Sequence, residues 1–550
     1  MNAVWVLDTG LPDDPITDRP SATLDEQCRQ AALRILERRP ALRRQVDGLY
    51  FGSMGIFAGD TRGRRVPSHI PRFLREELGL TALREGGLYG YASTSESGGV
   101  ALLRAFRDVA RGHTRTALVV AGEQMFSVDR ASRPEDRRGV AAWIRGVLDP
   151  REAHPYGLSM LAIGDLLMDH LAWGSGLPAS DWRAVLETVA LDKYRRAALH
   201  SHTMHGAKER ARGAVVDLAT YRDERANPWA SPWFRRDDVC ASANGATALL
   251  LTSDPGLLPA EGPRARIAAM GEGSAAVHFA GRPGPLRRFG AIRASLRQLL
   301  RSGPGLGLLR DPALSAALLH DAFPSIELAF LTELAPRHSW RWALERLIGG
   351  WTNPLGGLCG GGHALGNSGL FQAAKAAQLL LDDRRHLLPG APESAAIYLL
   401  TNVGSALTSV VSTVLCDDSR PEVVEALRRP ATRLAFAPAT SGPPLGVAAT
   451  ALDPDELIVA ARTKVTLEGE PRWVLLGAGT AGTRFVLHAP QEAPAIGTVV
   501  RVVPRGDRVV VAAVERPVLS APIMAREDVE AVRTAVATVR SGRLAPRIGA

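Results

Sequence analysis

The segments Asn353-Pro-Leu-Gly-Gly357 and Gly362-His-Ala-Leu-Gly-Asn-Ser-Gly369 hold the pattern that decides the fold of this 550-residue chain. Glycine permits tight turns and close backbone approaches, so both segments are typical of a loop. An apolar stretch follows Gly369 and predicts a helix. His363 stands ten positions after Asn353, close to that helix. The pattern therefore predicts a glycine-rich loop that carries one histidine to a helix start.

Other short motifs combine small residues with chemically active side chains. Tyr91-Ala-Ser-Thr-Ser-Glu-Ser-Gly-Gly99 has the composition of a strand-to-helix turn, and it contains Ser95. His320-Asp-Ala-Phe323 contributes a second histidine. Two further motifs end apolar strands, namely Ala121-Gly-Glu-Gln-Met125 and Asn402-Val-Gly-Ser405. These motifs supply the candidate functional residues.

The order of predicted elements indicates an α/β protein with three parts. Strand and helix patterns alternate over the first 125 residues, with helices predicted at about 24–38 and at 97–111, which predicts a sheet covered by helices. Residues 126–235 lose this regularity and are rich in Arg, His, Trp and Pro, as expected of an insertion that lies over a site. Five Val-rich runs after residue 420 predict a small β-barrel. We predict a first half at 1–255, a second half at 256–417, and an OB-like barrel with a tail at 418–550.

Composition excludes several classes of protein. The chain has 66 basic and 57 acidic residues, 46% hydrophobic residues and 22% charged residues, which is typical of a packed globular protein. Acidic residues alternate with the arginines, so no continuous basic face for nucleic acid is predicted. No apolar run approaches the roughly 20 residues that a membrane-spanning helix needs.

The cysteines and the N-terminus predict a reducing, cytoplasmic location. No basic segment followed by an apolar segment opens the chain, so no secretory signal is predicted. The cysteines are too few and too scattered for a disulfide framework or a Cys-rich zinc module. They are Cys28, Cys240, Cys359 and Cys416.

Two further motifs are weaker indications of function. Gly477-Ala-Gly-Thr-Ala-Gly482 matches a dinucleotide-binding fingerprint, but a strand pattern follows it where a helix is required, so we predict a hairpin turn. His200, His202 and His205 have a spacing compatible with a metal site. No acidic or cysteine residue nearby supplies an obvious fourth ligand, so we predict a surface loop and no metal.

Together the glycine-rich loop, the two histidine motifs, the Ser95 turn and the Asn402 motif resemble the thiolase superfamily. The resemblance is closest to its sterol carrier protein-type thiolases and thiolase-like proteins, and it covers residues 1 to 417. It implies the layered α/β/α/β/α thiolase fold, made of two tandem halves, with coenzyme A thioesters as substrates and no permanently bound cofactor. It also implies a homodimer that pairs through the strand next to the nucleophile, a contact that the C-terminal barrel could block or replace.

The sequence departs from the family at the nucleophile. The family places a cysteine 30 positions before the Met of its Gly-x-Glu-x-Met strand end, and the same count from Met125 reaches Ser95. The family's second catalytic cysteine is also absent, because Ala322 stands in the His320 motif and Ser405 follows Gly404. We therefore expect chemistry other than ordinary thiolysis. Glu96 is expected to point outward near the helix start, where carboxylates are favoured.

The resemblance assigns roles to the remaining residues. An alcohol gains little from a helix N-terminus and requires a general base, so His363 is expected to activate Ser95. His320 and the backbone N–H groups of Ser95 and Gly404 are expected to stabilise the oxyanion. Guanidinium groups pair well with the phosphates of coenzyme A. The candidates for that contact are Arg195, Arg196, Arg210 and Arg212.

Three hypotheses about function follow. The first is an acyltransferase that passes an acyl group from coenzyme A or a carrier protein, through Ser95, to a carbon, oxygen, nitrogen or water acceptor. The second is a silent thioester-binding or scaffold protein that has lost the nucleophile. The third is a retro-aldol carbon–carbon lyase, disfavoured because the thiolase-like lyases have tyrosines where His320 and His363 stand.

Overall fold

A computed structural model provides the structure of the protein. It describes residues 2–12, 16–17, 21–55, 69–126, 148, 153–200, 204, 217–275, 289–302, 309–335, 339–382, 395–428, 456–467, 470–478, 484–489, 492–506, 508–517 and 526–540.

The main sheet is built from ten strands. In chain order they are β1 (Trp5–Gly10), β2 (Ile16–Thr17), β3 (Gly48–Ser53), β4 (Leu88–Ala92), β5 (Thr116–Glu123), β6 (Asn244–Thr252), β7 (Ala265–Ser274), β8 (Ser315–Leu318), β9 (Ile397–Gly404) and β10 (Ser409–Asp417). The spatial order is β4-β3-β5-β6-β1-β7-β10-β9-β8, and β2 pairs with β6. Strand β1 therefore joins the first half of the chain to the second through its pairing with β7.

Thirteen helices lie in the described part of the chain. They are α1 (Leu24–Arg38), α2 (Ile70–Leu78), α3 (Ser97–Arg111), α4 (Met160–Ser175), α5 (Ala179–Ala198), α6 (Leu218–Arg222), α7 (Gly290–Ser302), α8 (Pro324–Leu334), α9 (Trp340–Ile348), α10 (Gly357–Gly361), α11 (Ser368–Leu381), α12 (Pro421–Arg428) and α13 (Arg526–Arg540).

On each strand of the sheet, alternate side chains enter different apolar clusters, and the three clusters so formed define five layers. On β5, Leu118 and Val120 pack with α1 and α2, whereas Ala117 and Val119 pack with α3 and α11. Strand β9 alternates in the same way between the central helices and an outer cluster that contains α7, α8 and α9. Such period-two burial is what a strand with both faces covered requires. The strands of the first half and those of the second half thus form two β-layers of the main sheet. Helices α3 and α11 form a central layer between them, with outer helices on both sides.

The C-terminal strands close into a barrel. They are β11 (Glu456–Leu467), β12 (Glu470–Ala478), β13 (Arg484–Ala489), β14 (Thr498–Arg505) and β15 (Arg508–Pro517). The order around the barrel is β11-β12-β13-β15-β14, and β11 also pairs with β14. Strands β12 and β13, which flank the fingerprint motif, are antiparallel, whereas residues 479–483 between them, where the hairpin turn is predicted, lie outside the described residues.

The barrel packs on the insertion. Leu158, Ile163 and Leu166 share an apolar cluster with Val474 and Leu476 of β12. This contact buries apolar surface on both parts and fixes α4 against the barrel.

The secondary structure agrees with the sequence predictions except in the insertion. Helices at 24–38 and 97–111 have the predicted bounds, and all five barrel strands are present. The predicted irregularity of residues 126–235 is wrong, because α4 and α5 contain 16 and 20 residues. Both helices are covered on most of their surface, so no apolar stripe marks them in the sequence. Within the described residues, no helix is long and apolar enough to cross a membrane.

Candidate active site

One cavity of about 410 Å³ brings together the four residues that the sequence proposed as catalytic. Ser95 lies at the turn before α3, and His320 follows β8. His363 follows α10, and Gly404 ends β9. These elements come from both halves of the chain, so the site exists only when the two halves are packed together. The rest of the lining is mainly apolar and includes residues of α4 and α8.

His320 is held by its backbone and has a free ring nitrogen. The backbone N–H of His320 donates to Thr401 Oγ1 over 3.0 Å. Its Nδ1 is buried and has no hydrogen-bond partner among the described residues. Burial first, and then the nearby His363, hold the pKa of His320 well below the usual range of a histidine. The ring is therefore neutral at physiological pH and presents one N–H donor.

His363 is anchored from two sides. Its backbone N–H donates to Ala241 O over 2.8 Å, and its Nδ1 lies 2.7 Å from Ser368 Oγ at the start of α11. Burial lowers the pKa of His363 to about 3. A neutral ring in this position has its other nitrogen, Nε2, available for the cavity, where it can donate or accept a proton.

Ser95 is half-buried and bonded to the backbone. Its Oγ donates to the carbonyl oxygen of Val403 over 2.6 Å. The hydroxyl proton therefore points at a carbonyl group and not at His363. This bond also ties the start of α3 to the end of β9, next to Gly404.

Glu96 is buried and does not point outward as expected from the sequence. Only 3% of the residue is exposed. Its carboxylate accepts hydrogen bonds from the hydroxyl groups of Ser93, Thr94 and Ser409. A Cβ on Gly404 would collide with this carboxylate, so a larger residue there would require Glu96 to move. Glu96 thus holds the turn before α3 against the β9–β10 connection.

A buried ion cluster supports the two histidine motifs. Lys193 of α5 lies 2.7 Å from Asp321 Oδ2 and 2.5 Å from Glu327 Oε2. The other Asp321 oxygen accepts the N–H of Leu358, in the loop that leads to His363. Burial lowers the pKa of Lys193, but the two carboxylates outweigh it and hold that pKa above its usual value. Burial raises the pKa of Asp321 to about 6, against the opposing effect of Lys193.

Asn353 links the same cluster to the strand before His320. Its side-chain oxygen accepts the N–H of Leu319 over 2.8 Å, and its nitrogen donates to Glu327 over 3.2 Å. The backbone of Asn353 has a φ of 48°, a conformation that asparagine tolerates better than most residues. Asn353 therefore helps to position His320.

The cysteines do not form a reactive centre. Cys240 lines the cavity, and burial raises the pKa of its thiol. Cys359 donates to the backbone oxygens of Asp238 and Asp321, and burial raises its pKa as well. A thiol with a raised pKa is a poor nucleophile near neutral pH.

The proposed phosphate-binding arginines occupy different environments. Arg196 is buried, pairs with Asp192, and donates to the backbone oxygens of Gly350 and Thr352. Its guanidinium group is therefore bound to the protein itself. Arg195 is half-exposed on the same helix. Arg210 and Arg212 lie outside the described residues, as do His202 and His205.

Among the described residues, no group of three or more His, Cys, Asp or Glu side chains could hold a metal ion. Of the predicted histidine cluster, only His200 lies in the described part.

Sequence reasoning missed the wall of the cavity that α4 forms. Leu161, Ile163 and Leu167 of this helix line the cavity. The signal was present as an apolar segment from 158 to 172, but only the fold shows which apolar face meets the cavity.

Comparisons with known proteins identify the fold. No protein-family model matches the sequence, and no curated protein matches it. Among solved structures, a monomeric SCP2-thiolase-like protein type 1 from Mycobacterium smegmatis has a TM-score of 0.60 at 15% identity. The match covers 92% of this chain and 98% of that chain. It therefore extends beyond residue 417 into the C-terminal barrel region.

Two further structures match the core. The Ltp2–ChsH2(DUF35) aldolase has a TM-score of 0.54 at 17% identity, over 76% of this chain and 98% of that chain. Human mitochondrial 3-ketoacyl-CoA thiolase, solved in complex with CoA, has a TM-score of 0.50 at 15% identity, over the same shares. The chain has the thiolase fold, as its sequence motifs predicted.

Proposed function

We propose that this protein is an acyltransferase that acts on an acyl thioester of coenzyme A or of a carrier protein. The observation that supports this proposal is the single cavity lined by Ser95, His320, His363 and Gly404. It combines a hydroxyl group, two neutral imidazoles and a strand end in one place. Such a set can provide a nucleophile, a base and oxyanion donors for acyl transfer.

Each residue has a defined role in the proposed reaction. The Ser95 hydroxyl turns from Val403 towards the thioester, and its Oγ attacks the carbonyl carbon while His363 takes the proton. His320 and the backbone N–H groups of Ser95 and Gly404 stabilise the oxyanion. The carbon–sulfur bond then breaks, and His363 returns the proton to the leaving thiolate. In a second transfer the acceptor attacks the carbonyl carbon of acyl-Ser95 while His363 takes the acceptor's proton; the bond between that carbon and Ser95 Oγ breaks, and His363 returns the proton to Oγ.

The cavity favours an apolar acyl group. A volume of about 410 Å³ lies within the range of roughly 300–1,000 Å³ found for small-molecule sites. Apolar side chains, with leucine the most frequent, form most of the wall beyond the histidines. We assign the contact with the carrier's phosphates to Arg195, because Arg196 is already bound to Asp192 and to backbone oxygens.

Intact mass spectrometry tests the covalent step. After incubation with a panel of acyl-CoAs, the protein should gain the mass of one acyl group, located on the peptide that contains Ser95. Ser95→Ala should abolish the adduct. Ser93→Ala is a matched control, because Ser93 is an exposed serine of the same turn that does not line the cavity. Absence of an adduct across the panel would contradict the covalent scheme.

A second candidate function is thioester binding without turnover. The bond from Ser95 to Val403 and the low pKa of His363 both favour it, because the serine proton is not on the base and the base is weak. Under this hypothesis, native protein and Ser95→Ala bind coenzyme A thioesters equally and neither consumes them. Thioester consumption by native protein alone would exclude it.

We also propose a homodimer through β4. This strand lies at the edge of the main sheet, next to Ser95, and its outer side has no partner strand in the described part. Unpaired edge strands commonly pair with another chain. Light scattering should give twice the mass of the chain, and the monomer mass would contradict this proposal.

A further inference from the structure

We infer that the insertion contains a second ligand site, separate from the active cavity, which binds an aromatic carboxylate or phosphate. The site is a cavity of about 410 Å³ between α5, α6 and the segment 229–238. None of the residues that line it also lines the active cavity. The inference does not depend on the proposed acyl transfer.

Two arginines are stacked on one exposed tryptophan at this second cavity. The Cζ atoms of Arg183 and Arg235 lie 5.0 and 4.3 Å from the centroid of the Trp229 ring. Trp229 is 40% exposed and Arg183 is exposed as well, so a ligand can reach both from solvent. The stacking holds the two guanidinium groups in place before a ligand binds, which lowers the entropy cost of binding.

Both guanidinium groups keep N–H donors for an anion. Arg183 Nη2 donates to Pro232 O over 2.9 Å, and Arg235 Nη1 donates to Asn227 O over 3.0 Å. Neither group forms an ion pair with a carboxylate among the described residues. Two positive charges held beside one ring repel each other, so an anion that contacts both is favoured.

The acidic side chains that line the second cavity are already bonded. Glu187 accepts two hydrogen bonds from Arg222, over 2.7 and 2.8 Å. Asp238 is buried and accepts from the Tyr221 hydroxyl group and from the backbone N–H of Arg235. Neither carboxylate is therefore left to compensate the two stacked guanidinium groups.

The rest of the wall determines what the anion is attached to. Ala184 and Leu186 of α5 line the second cavity together with Tyr221 and Trp233. Aromatic rings pack well against indole and guanidinium faces. A small inorganic anion would leave this apolar wall uncovered, whereas an aromatic carboxylate or phosphate covers it. The volume lies within the range of small-molecule sites.

Calorimetry with naphthoate, naphthamide and acetate tests the site. Naphthoate has both the charge and the rings, whereas naphthamide lacks the charge and acetate lacks the rings. Naphthoate should bind roughly tenfold more tightly than either of the others, because hydrogen bonds between charged groups are the stronger ones. Equal affinity for naphthoate and naphthamide would overturn the inference. Absence of naphthoate binding would also overturn it and leave the stacked arginines with a structural role only.

Two variants locate the bound anion. Arg183→Gln and Arg235→Gln should each weaken naphthoate binding roughly tenfold, since each removes one charged donor. Arg346→Gln is a matched control, because Arg346 stacks on the Trp342 ring at 5.2 Å and does not line the second cavity. It should leave the affinity unchanged. If Arg183→Gln and Arg235→Gln both bind naphthoate as the native protein does, the anion lies elsewhere and the inference is overturned.

Coenzyme A separates this site from the thioester site. With coenzyme A in excess, naphthoate should bind with unchanged affinity, because the two cavities share no residue. Competition between the two ligands would mean that part of coenzyme A occupies the second cavity, and would overturn the inference of a separate site. If coenzyme A does not bind at all, only the proposed function is affected, and naphthoate binding still supports the second site.

Discussion

The imidazole rings of His320 and His363 meet edge to face, with their centroids 4.8 Å apart. Both rings are buried, so a positive charge on either would lack solvation and would repel a charge on the other. The pair therefore stays neutral over most of the pH range in which proteins are folded. It can donate hydrogen bonds to an oxyanion without adding a net charge to the cavity.

Protonation of His363 should oppose folding. Its pKa is about 3 in the folded chain, against roughly 6.5 when unfolded, so below pH 6.5 only the unfolded state takes up this proton. This residue then lowers the free energy of unfolding by about 1.4 kcal/mol per pH unit. Urea unfolding between pH 7 and pH 5 should show the native protein losing about 2 kcal/mol relative to His363→Gln. If the free energies of unfolding of native protein and His363→Gln change in parallel with pH, His363 is not buried in its neutral state.

The local parts of the fold could be predicted from the sequence. Helix α3 runs from Ser97 to Arg111 as predicted, because its apolar residues recur at helical spacing and Gly112 follows. Helix α4 could not be predicted in this way. It is buried on nearly every side, since it packs on the barrel and also lines the cavity. A helix without a polar face has no periodic signal.

The chemistry of the site was only partly predictable. Family motifs indicated Ser95, His320 and His363, and the structure places them around one cavity. The bond between Ser95 and Val403 joins residues 308 positions apart, so no local pattern contains it. The burial of Glu96 depends likewise on Ser409, which only the folded sheet brings close.

Replacing Ser95 by cysteine should increase the reactivity of the site. A thiol has a pKa near 8.5, and the N-terminus of α3 stabilises an anion slightly, whereas an alcohol is not ionised at neutral pH. We expect Ser95→Cys to form an acyl adduct at least tenfold faster than the native protein, as measured by mass spectrometry over time. Ser93→Cys, an exposed thiol of the same turn, is the control. Equal rates of adduct formation for both cysteine variants would mean that the cavity does not increase the reactivity of the thiol.

Removing Lys193 should destabilise the protein strongly. Lys193→Met leaves the carboxylates of Asp321 and Glu327 buried without their cation, and breaking a buried pair in this way costs roughly 3–5 kcal/mol. Lys193→Met combined with Glu327→Gln should recover part of that loss, because one charge fewer remains buried. Urea unfolding gives the free energy of unfolding of both variants. A double variant less stable than the single one would contradict the ion-cluster interpretation.

Asp165 of α4 should make the contact between the insertion and the barrel pH-dependent. Its Oδ1 accepts from Ser231 Oγ and Trp233 N, and its Oδ2 accepts from Thr463 Oγ1 of β11 over 3.0 Å. Burial raises its pKa to about 6, against the hydrogen bonds from Ser231 and Thr463. Between pH 4 and pH 6 the folded state thus holds a proton that the unfolded state has lost. The stability from this residue is therefore present at low pH and is lost as the pH rises through 6.

Asparagine at position 165 does not titrate and should remove this dependence. Between pH 4.5 and pH 6.5, Asp165→Asn should become more stable relative to the native protein by roughly 2 kcal/mol in urea unfolding. Asp165→Ala should be less stable than Asp165→Asn at every pH, because it leaves three donors without an acceptor. It should also bind acyl-CoA more weakly, since α4 lines the cavity as well as contacting the barrel. If native protein and Asp165→Asn change in parallel with pH, the carboxyl group does not titrate in this range and the proposed coupling is wrong.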